Sequence, residues 1–300
     1  MKSTSLRLGA GIALALVALF GGSARAQLEA NLGALADENA RGYLQPLVGA
    51  LSSTLNGSVF QTGYIPKSEL TFQIQANVMG ASFDDDDRVY RPTDPPGFQS
   101  AEGDDFVAPT VIGDTEAVAQ QGQAGTQLYH PGGFDMENFT IASPQLMIGG
   151  ILGSAVLVRW ISIDLGDADL GELELFGIGA QHSITQYMLE PPVDVAAGVM
   201  YQKFDVGDGL IDATTLQFNV TGSKRFGVIE PYIGVGYDTF DMSGEYTSDQ
   251  TDETVEVDFE REGNVHLTVG GRLNLRYLIL HGEFNAAAES GVAVGLSVGM

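Results

Sequence analysis

From residue 69 onward the sequence repeats with a period of two, and this repeat constrains the fold more than any other feature of the chain. In 265–276, Val265, Leu267, Val269, Gly271, Leu273 and Leu275 alternate with His266, Thr268, Gly270, Arg272, Asn274 and Arg276. Segment 70–78 sets Leu70, Phe72, Ile74, Ala76 and Val78 against Thr71, Gln73, Gln75 and Asn77, and 214–223 repeats the pattern around Leu216, Phe218 and Val220. Successive side chains of a strand point to opposite faces, so each segment has one apolar face and one polar face. A half-solvated sheet in a soluble sandwich also alternates. Two details favour a barrel in a membrane instead. The polar faces carry Gln, Asn, Thr and Ser more than Lys and Glu, and aromatics fall at strand ends (Phe83, Trp160, Tyr187, Phe204, Tyr237, Tyr277), where interfacial girdles lie.

Seven further segments read as strands: 141–150, 154–165, 171–184, 193–205, 229–242, 279–287 and 291–300. With the first three they predict an all-β fold, a closed antiparallel transmembrane β-barrel of 10–12 strands, with 58–64 and 107–113 as the optional pair. Strands of nine to twelve residues suit the roughly 9–11 needed to cross a bilayer at a tilt. An even count places both termini in the periplasm and the long acidic loops, 84–139 and 245–262, on the opposite side. The last strand alternates Val292, Val294, Leu296, Val298 and Met300 with small residues, the form recognised by the barrel assembly machinery, although Phe or Trp is the usual final residue. The expected partners are therefore outer-membrane lipid and that machinery.

The amino terminus predicts export. Lys2 and Arg7 precede an apolar run from Leu8 to Phe20, and small residues end in Ala24-Arg25-Ala26, so residues 1–26 read as a signal peptide cleaved after Ala26. Residues 27–57 read as a helical plug or cap, with Leu32, Leu35, Leu44, Leu47, Val48 and Leu51 at helical spacing and Pro46 as a kink or a second start. Residues 58–300 form the barrel, and the location this implies is the bacterial outer membrane. Without the signal, 11 basic residues face 39 acidic ones, a balance that repels nucleic acid. Cysteine is absent, so burial and backbone pairing alone must hold the fold.

Candidate chemistry is sparse. The polar strand faces place Gln73, Gln75, Asn77, Arg159, Gln217, Asn219, His266, Arg272, Asn274, Arg276, His281 and Glu283 in the lumen. Asp84, Asp85, Asp86 and Asp87 offer oxygen ligands to Ca²⁺, and the acids of 245–262 raise the same idea for divalent cations, but both lack the spaced ligands of a dedicated calcium loop. His182 and Ser183 are adjacent and face opposite ways, so they cannot form a nucleophile–base pair. His281 and Glu283 share a face without a serine placed by sequence beside them. Gly177-x-Gly179 and Gly234-x-Gly236 lack the third glycine and helix of a phosphate loop. Lys224-Arg225 reads as a solvated turn. Nothing implies a cofactor, and the chain reads as a non-enzyme.

Short stretches spread over the chain resemble a family of exported bacterial proteins known only as a domain of unknown function. They are Glu38 to Leu47 (ENARGYLQPL), Leu55-Asn-Gly-Ser58, the strand into Phe83 and Asp84–Asp87, Val158-Arg-Trp160, Gly177-x-Gly179 followed by Gln181-His-Ser-Ile184, Ser223-Lys224 and Pro231-Tyr-x-Gly-x-Gly-Tyr237. The resemblance implies an outer-membrane-type β protein without an established activity. The helix-then-barrel order is similar in architecture alone to transporters of fatty acids and hydrocarbons. The expected function is a narrow or plugged channel for small or hydrophobic molecules, or a structural protein of the envelope. The alternatives are a barrel-embedded lipid-modifying enzyme and a soluble periplasmic lipid-binding β protein.

Overall fold

A computed structural model describes residues 22–35, 37–164, 172–207, 209–247, 254–287 and 290–299. Most of the expected signal segment, and Met300, lie outside them. Two helices, α1 (Gly22–Gly33) and α2 (Asp37–Asn56), precede β1 (Thr71–Ser82). An insert then carries β2 (Val89–Tyr90), β3 (Ala108–Pro109), β4 (Val118–Gln121) and β5 (Gln127–His130). The rest is β6 (Asn138–Ile151), β7 (Ser154–Asp164), β8 (Glu172–Ser183), β9 (Asp194–Val206), β10 (Ile211–Ser223), β11 (Ile229–Thr247), β12 (Thr254–Leu275), β13 (Leu278–Ala286) and β14 (Gly291–Gly299).

β1 and β6–β14 close into one antiparallel barrel in which every strand pairs with its neighbour in sequence. β1 completes the ring, meeting β6 from Thr71↔Gly149 to Ser82↔Asn138 and β14 from Gln73↔Gly299 to Ala81↔Gly291. The wall thus has ten strands. Segment 58–64 is not among them, and within 107–113 only Ala108 and Pro109 pair, with β2 in the insert. The start of β1 and the end of β14 mark one mouth, the near end; the insert and the β11–β12 hairpin mark the far end.

Four expectations need correction. The first helix ends at Gly33, a residue suited to a helix terminus, and the second begins at Asp37. Pro46 sits within α2 without ending it. Segment 245–262 is largely not a loop: β11 and β12 pair out to Thr247↔Thr254. Val255, Val257 and Phe259 turn inward there while Glu256 and Asp258 stay exposed, a period of two hidden by the acid content. Phe204 is buried inside the barrel and Phe83 packs against the inner core, so neither belongs to a girdle, whereas Trp160, Tyr187, Tyr237 and Tyr277 are exposed. Finally, the described amino-terminal helices do not lie beside the end of β14. The Arg41 guanidinium donates to the Asp258 carbonyl and the Tyr43 carbonyl accepts from Val111 N–H, both at the far end. By Thr62 and Gly63 the chain has reached Ser223 at the near end. Residues 39–63 therefore descend the whole lumen.

The side-chain pattern inverts along the strands. In the near half apolar residues face out: Phe176 and Ile178 on β8, Val199 and Tyr201 on β9, Ile233 and Val235 on β11, Val265, Leu267 and Val269 on β12. In the far half they face in, and acids or Lys face out. Leu173 and Leu175 are buried between exposed Glu172 and Glu174, Phe204 beside exposed Lys203, and Phe240 and Met242 beside exposed Asp241. These inward residues pack on Tyr43, Leu44, Leu47, Leu51 and Leu55 of α2 and on Leu28 and Leu32 of α1 in one core cluster. The far half is built like a water-soluble protein, with an apolar inside and a polar outside.

The insert caps this core. Tyr90 lies against Gly42, where a Cβ would stand 2.5 Å from its ring. Its hydroxyl donates to His130 Nδ1 (3.3 Å), and His130 Nε2–H donates to Gln120 Oε1 (3.0 Å), an arrangement that uses both nitrogens of a neutral, fully buried imidazole. Burial pushes the His130 pKa below its ordinary value. The folded value is thus below the unfolded one, so the stability of the cap is complete above about pH 6.5 and falls as pH drops below it. Once the intrinsic pH dependence of exchange is divided out, the protection of amides in 84–137 is expected to fall between pH 7.5 and 5.5, and His130→Gln is expected to flatten that dependence. An unchanged profile in the variant would contradict the assignment.

Candidate functional site

The site is the lumen, and residues outside the wall occupy much of it. α2 ends at Asn56 in mid-barrel, where its last carbonyls need donors and its dipole is negative. Arg159, fully buried on β7, supplies them: Nη1 donates to Leu55 O (3.0 Å), and Nη2 donates to Gly57 O (2.9 Å) and Ser58 O (3.1 Å). The guanidinium is held in turn by Gln145 Oε1 (3.0 and 3.2 Å) and Gln202 Oε1 (3.0 Å), and Gln202 Nε2 adds a bond to Leu55 O (2.6 Å). A cation from the wall thus caps the helix in the lumen.

Ser58 is the next fixed point. It adopts a left-handed φ of 58°, uncommon for a residue with a Cβ. Its N–H donates to Glu283 Oε1 (2.6 Å) and its hydroxyl lies at hydrogen-bond distance from His281 Nε2. Glu283 also accepts from the Tyr232 hydroxyl (2.7 Å) and Asn285 Nδ2 (2.9 Å). Below it, Gln61 donates to Gln75 Oε1 (3.2 Å), and the Thr62 hydroxyl donates to Glu230. The Gly63 N–H reaches Ser223 Oγ (3.0 Å); a Cβ at Gly63 would meet the Asp194 carbonyl at 2.3 Å, so only glycine fits this passage.

Of the residues read as lumenal from sequence, Gln75, Asn77, Arg159, Gln217, Asn219, His266, Arg272, His281 and Glu283 are buried on the inner face, and Gln73 and Asn274 are half-buried there. Gln217 Nε2 reaches Asn56 O (3.4 Å) and His266 Nε2 (3.0 Å), and His266 Nδ1 pairs with Asp238 at 2.7 Å. Arg276 is the exception. It occupies the β12–β13 turn with φ 61°, exposed, its guanidinium 4.9 Å from the centre of the Tyr277 ring. The alternating pattern was extended one residue too far. Asp84–Asp87 sit in a 3₁₀ turn, the first three exposed, and among the described residues no three His, Asp or Glu side chains converge on a cation position.

Among the described residues two serine–imidazole pairs do form. Ser58 meets His281, whose Nδ1 has no partner among the described residues. Ser154 Oγ lies 2.8 Å from His182 Nδ1, with the Tyr187 hydroxyl (3.0 Å) and Gln186 (2.9 Å) at the other nitrogen. Neither imidazole has, among the described residues, the orienting carboxylate that activates a serine. His182 faces outward and Ser183 inward, as strand geometry requires.

Sequence reasoning missed Glu230, Tyr232 and Asp238. All three stand on the inward phase of β11 (Glu230, Tyr232, Gly234, Gly236, Asp238), a period of two obscured because the outward phase turns polar beyond Tyr237. Arg225, read as part of a solvated turn, donates from Nε (3.3 Å) and Nη2 (3.1 Å) to Glu230 Oε2.

Solved structures similar to the chain are outer-membrane proteins. They include the outer membrane protease OmpT of Escherichia coli (10% identity, TM-score 0.33, over 79% of this chain and 98% of that one). Others are a loop-deletion mutant of OmpT, an outer membrane protein of Vibrio cholerae (10%, 0.28, 77% and 98%), and the toluene transporter TbuX of Ralstonia pickettii (9%, 0.24, 77% and 88%). Likenesses of this size carry no argument about function. No curated protein matches the chain. The match that covers residues 1–300 is to the family of unknown function DUF6588, and the chain belongs to that family.

Proposed function

We propose that this protein is exported, cleaved after Ala26 and seated in the bacterial outer membrane as a barrel plugged by its own residues 37–66. It would act as a narrow channel for small molecules, shut at rest, and not as an open pore or an enzyme. The observation that carries the membrane reading is the inversion of polarity along the wall. A lipid-facing surface must be apolar and a water-facing one polar, and the outward residues change from one to the other near Phe176, Tyr201 and Tyr237. The outward apolar stretch of β12, Val265 to Leu275, is about the length a tilted strand needs to cross. β14 presents Val292, Val294, Leu296 and Val298 to the outside, which supports its reading as the assembly signal. On this orientation the near end is periplasmic, and the insert and hairpin lie outside the cell.

The plugged reading rests on Arg159 and Ser58, which bind the descending chain at mid-lumen. A ten-stranded wall leaves little room beside a helix; only much larger barrels keep an aqueous channel. A purely structural envelope role is the second reading, favoured by how densely the far half is packed.

A charge introduced into the outward band is expected to cost about 2–4 kcal/mol at the bilayer midplane. Val235→Arg and Leu267→Arg should therefore hinder folding into lipid, read as loss of the mobility difference between unboiled and boiled protein, while Ser243→Arg should not. Equal tolerance at all three would refute the membrane orientation. Protein recovered in a detergent-free periplasmic extract would refute it outright.

Planar-bilayer conductance tests the plug. The intact mature protein is expected to be nearly silent, and deletion of 27–66 is expected to open it. Arg159→Met removes a buried cation that donates to three carbonyls and leaves the Gly57 carbonyl without a donor among the described residues, at a cost of about 1–3 kcal/mol. It is expected to lower the unfolding midpoint and to give intermittent openings. Large steady conductance in the intact protein would overturn the plugged reading, and silence in all three forms would favour the structural role.

A further inference from the structure

The plug does not fill the lumen to the near mouth. Beside the descending segment lies a cavity of about 370 Å³, within the roughly 300–1,000 Å³ usual for small-molecule sites. Arg225, Arg272 and Arg276 all line it, in a chain with only 14 basic residues against 39 acidic ones. Glu69 is the one acid among its described lining residues.

The three guanidinium groups are not equivalent. Arg225 is already paired with Glu230, and Arg276 lies over Tyr277 at the exposed turn. Arg272 is only 4% exposed, makes no hydrogen bond or salt bridge with any described residue, and has a buried Nε without a partner. Its cross-strand neighbour Glu230 attracts it through space but makes no hydrogen bond or salt bridge with it. Glu230 Oε1 accepts from Thr62 and Ser223, and Oε2 accepts from Arg225 and Asn274. A buried charge without hydrogen bonds is costly, and the planar guanidinium fork matches a carboxylate or phosphate with two parallel bonds. Other parts of the lining are apolar: Ile65, Met147, Ala155 and Ile279. A ligand suited to both has an anionic oxygen head and a hydrocarbon body.

We infer that this cavity is a binding site for a small amphipathic oxyanion free in solution, an organic carboxylate or a phosphate monoester. Its head pairs with Arg272, Arg276 adds attraction at the rim, and its body rests on Ile65, Met147 and Ile279. The site does not depend on whether the barrel conducts, because occupancy is read without a membrane.

Titration calorimetry on the full mature protein in detergent tests this with four probes: benzoate, phenyl phosphate, benzyl alcohol and inorganic phosphate. Benzoate or phenyl phosphate is expected to bind at least tenfold more tightly than benzyl alcohol and than inorganic phosphate, and to weaken as salt is raised. Arg272→Met is expected to lower that affinity tenfold or more, in the range of a charge-assisted hydrogen bond, and Arg276→Gln to lower it severalfold. Should Arg272→Met fail the boiled-against-unboiled test of folding, Arg276→Gln and the salt dependence decide the matter. Full affinity in Arg276→Gln without salt dependence would then overturn the site. Equal binding of benzyl alcohol, or undiminished binding in folded Arg272→Met, would overturn it as well. Inorganic phosphate binding as tightly as phenyl phosphate would overturn the amphipathic assignment.

Discussion

Every other feature of this molecule depends on the closure of the wall at β1. Its twelve residues pair on one side with β6, across an insert of more than fifty residues, and on the other with β14 at the far end of the chain. Without that seam the sheet would expose a row of unpaired donors and acceptors, which lipid cannot satisfy. With it, the inner face becomes an enclosed space, and the amino-terminal segment has somewhere to lie.

That space sets a second problem. A helix that ends inside a barrel brings orphan carbonyls into a region with little water. Arg159 meets the requirement with charge as well as hydrogen bonds, and Gln145 and Gln202 orient it. Ser58, Glu283 and Tyr232 then guide the chain past mid-lumen, and Glu230 and Ser223 receive it near the mouth. Many polar residues of the wall therefore serve as partners for the backbone and side chains of residues 55–63. Arg272 stands apart, because the chain passes it without pairing it.

The two halves of the wall answer to different solvents. Where the outside is apolar the inside is polar and hydrogen-bonded to the plug; where the outside carries acids the inside is an aliphatic and aromatic core against α1 and α2. One strand can do both because its faces are independent. The β11–β12 hairpin shows this most fully, running from Ile233 and Val235 facing out to Phe240, Met242, Val257 and Phe259 facing in.

The sequence by itself determined an antiparallel barrel of ten to twelve strands, since alternation is local and β1, β10 and the end of β12 keep one phase long enough to be read; the closed wall fixed the count at ten and left out 58–64 and 107–113. It also determined the inward placement of Gln75, Gln217, His266 and His281, because a strand leaves no choice once its outward face is known; β7 has apolar residues on both faces, and for Arg159 the structure made the choice. What only the tertiary structure decided is where that phase inverts, which made β8, β9 and β11 look noisy and hid Glu230, Tyr232 and Asp238. The inversion depends on where the surrounding solvent changes, and that is a property of the assembled barrel. The path of residues 39–63 down the lumen was equally out of reach. A helical period of Leu and Tyr says that one face is buried, but not that the burying surface is the inside of a barrel built from the residues that follow it.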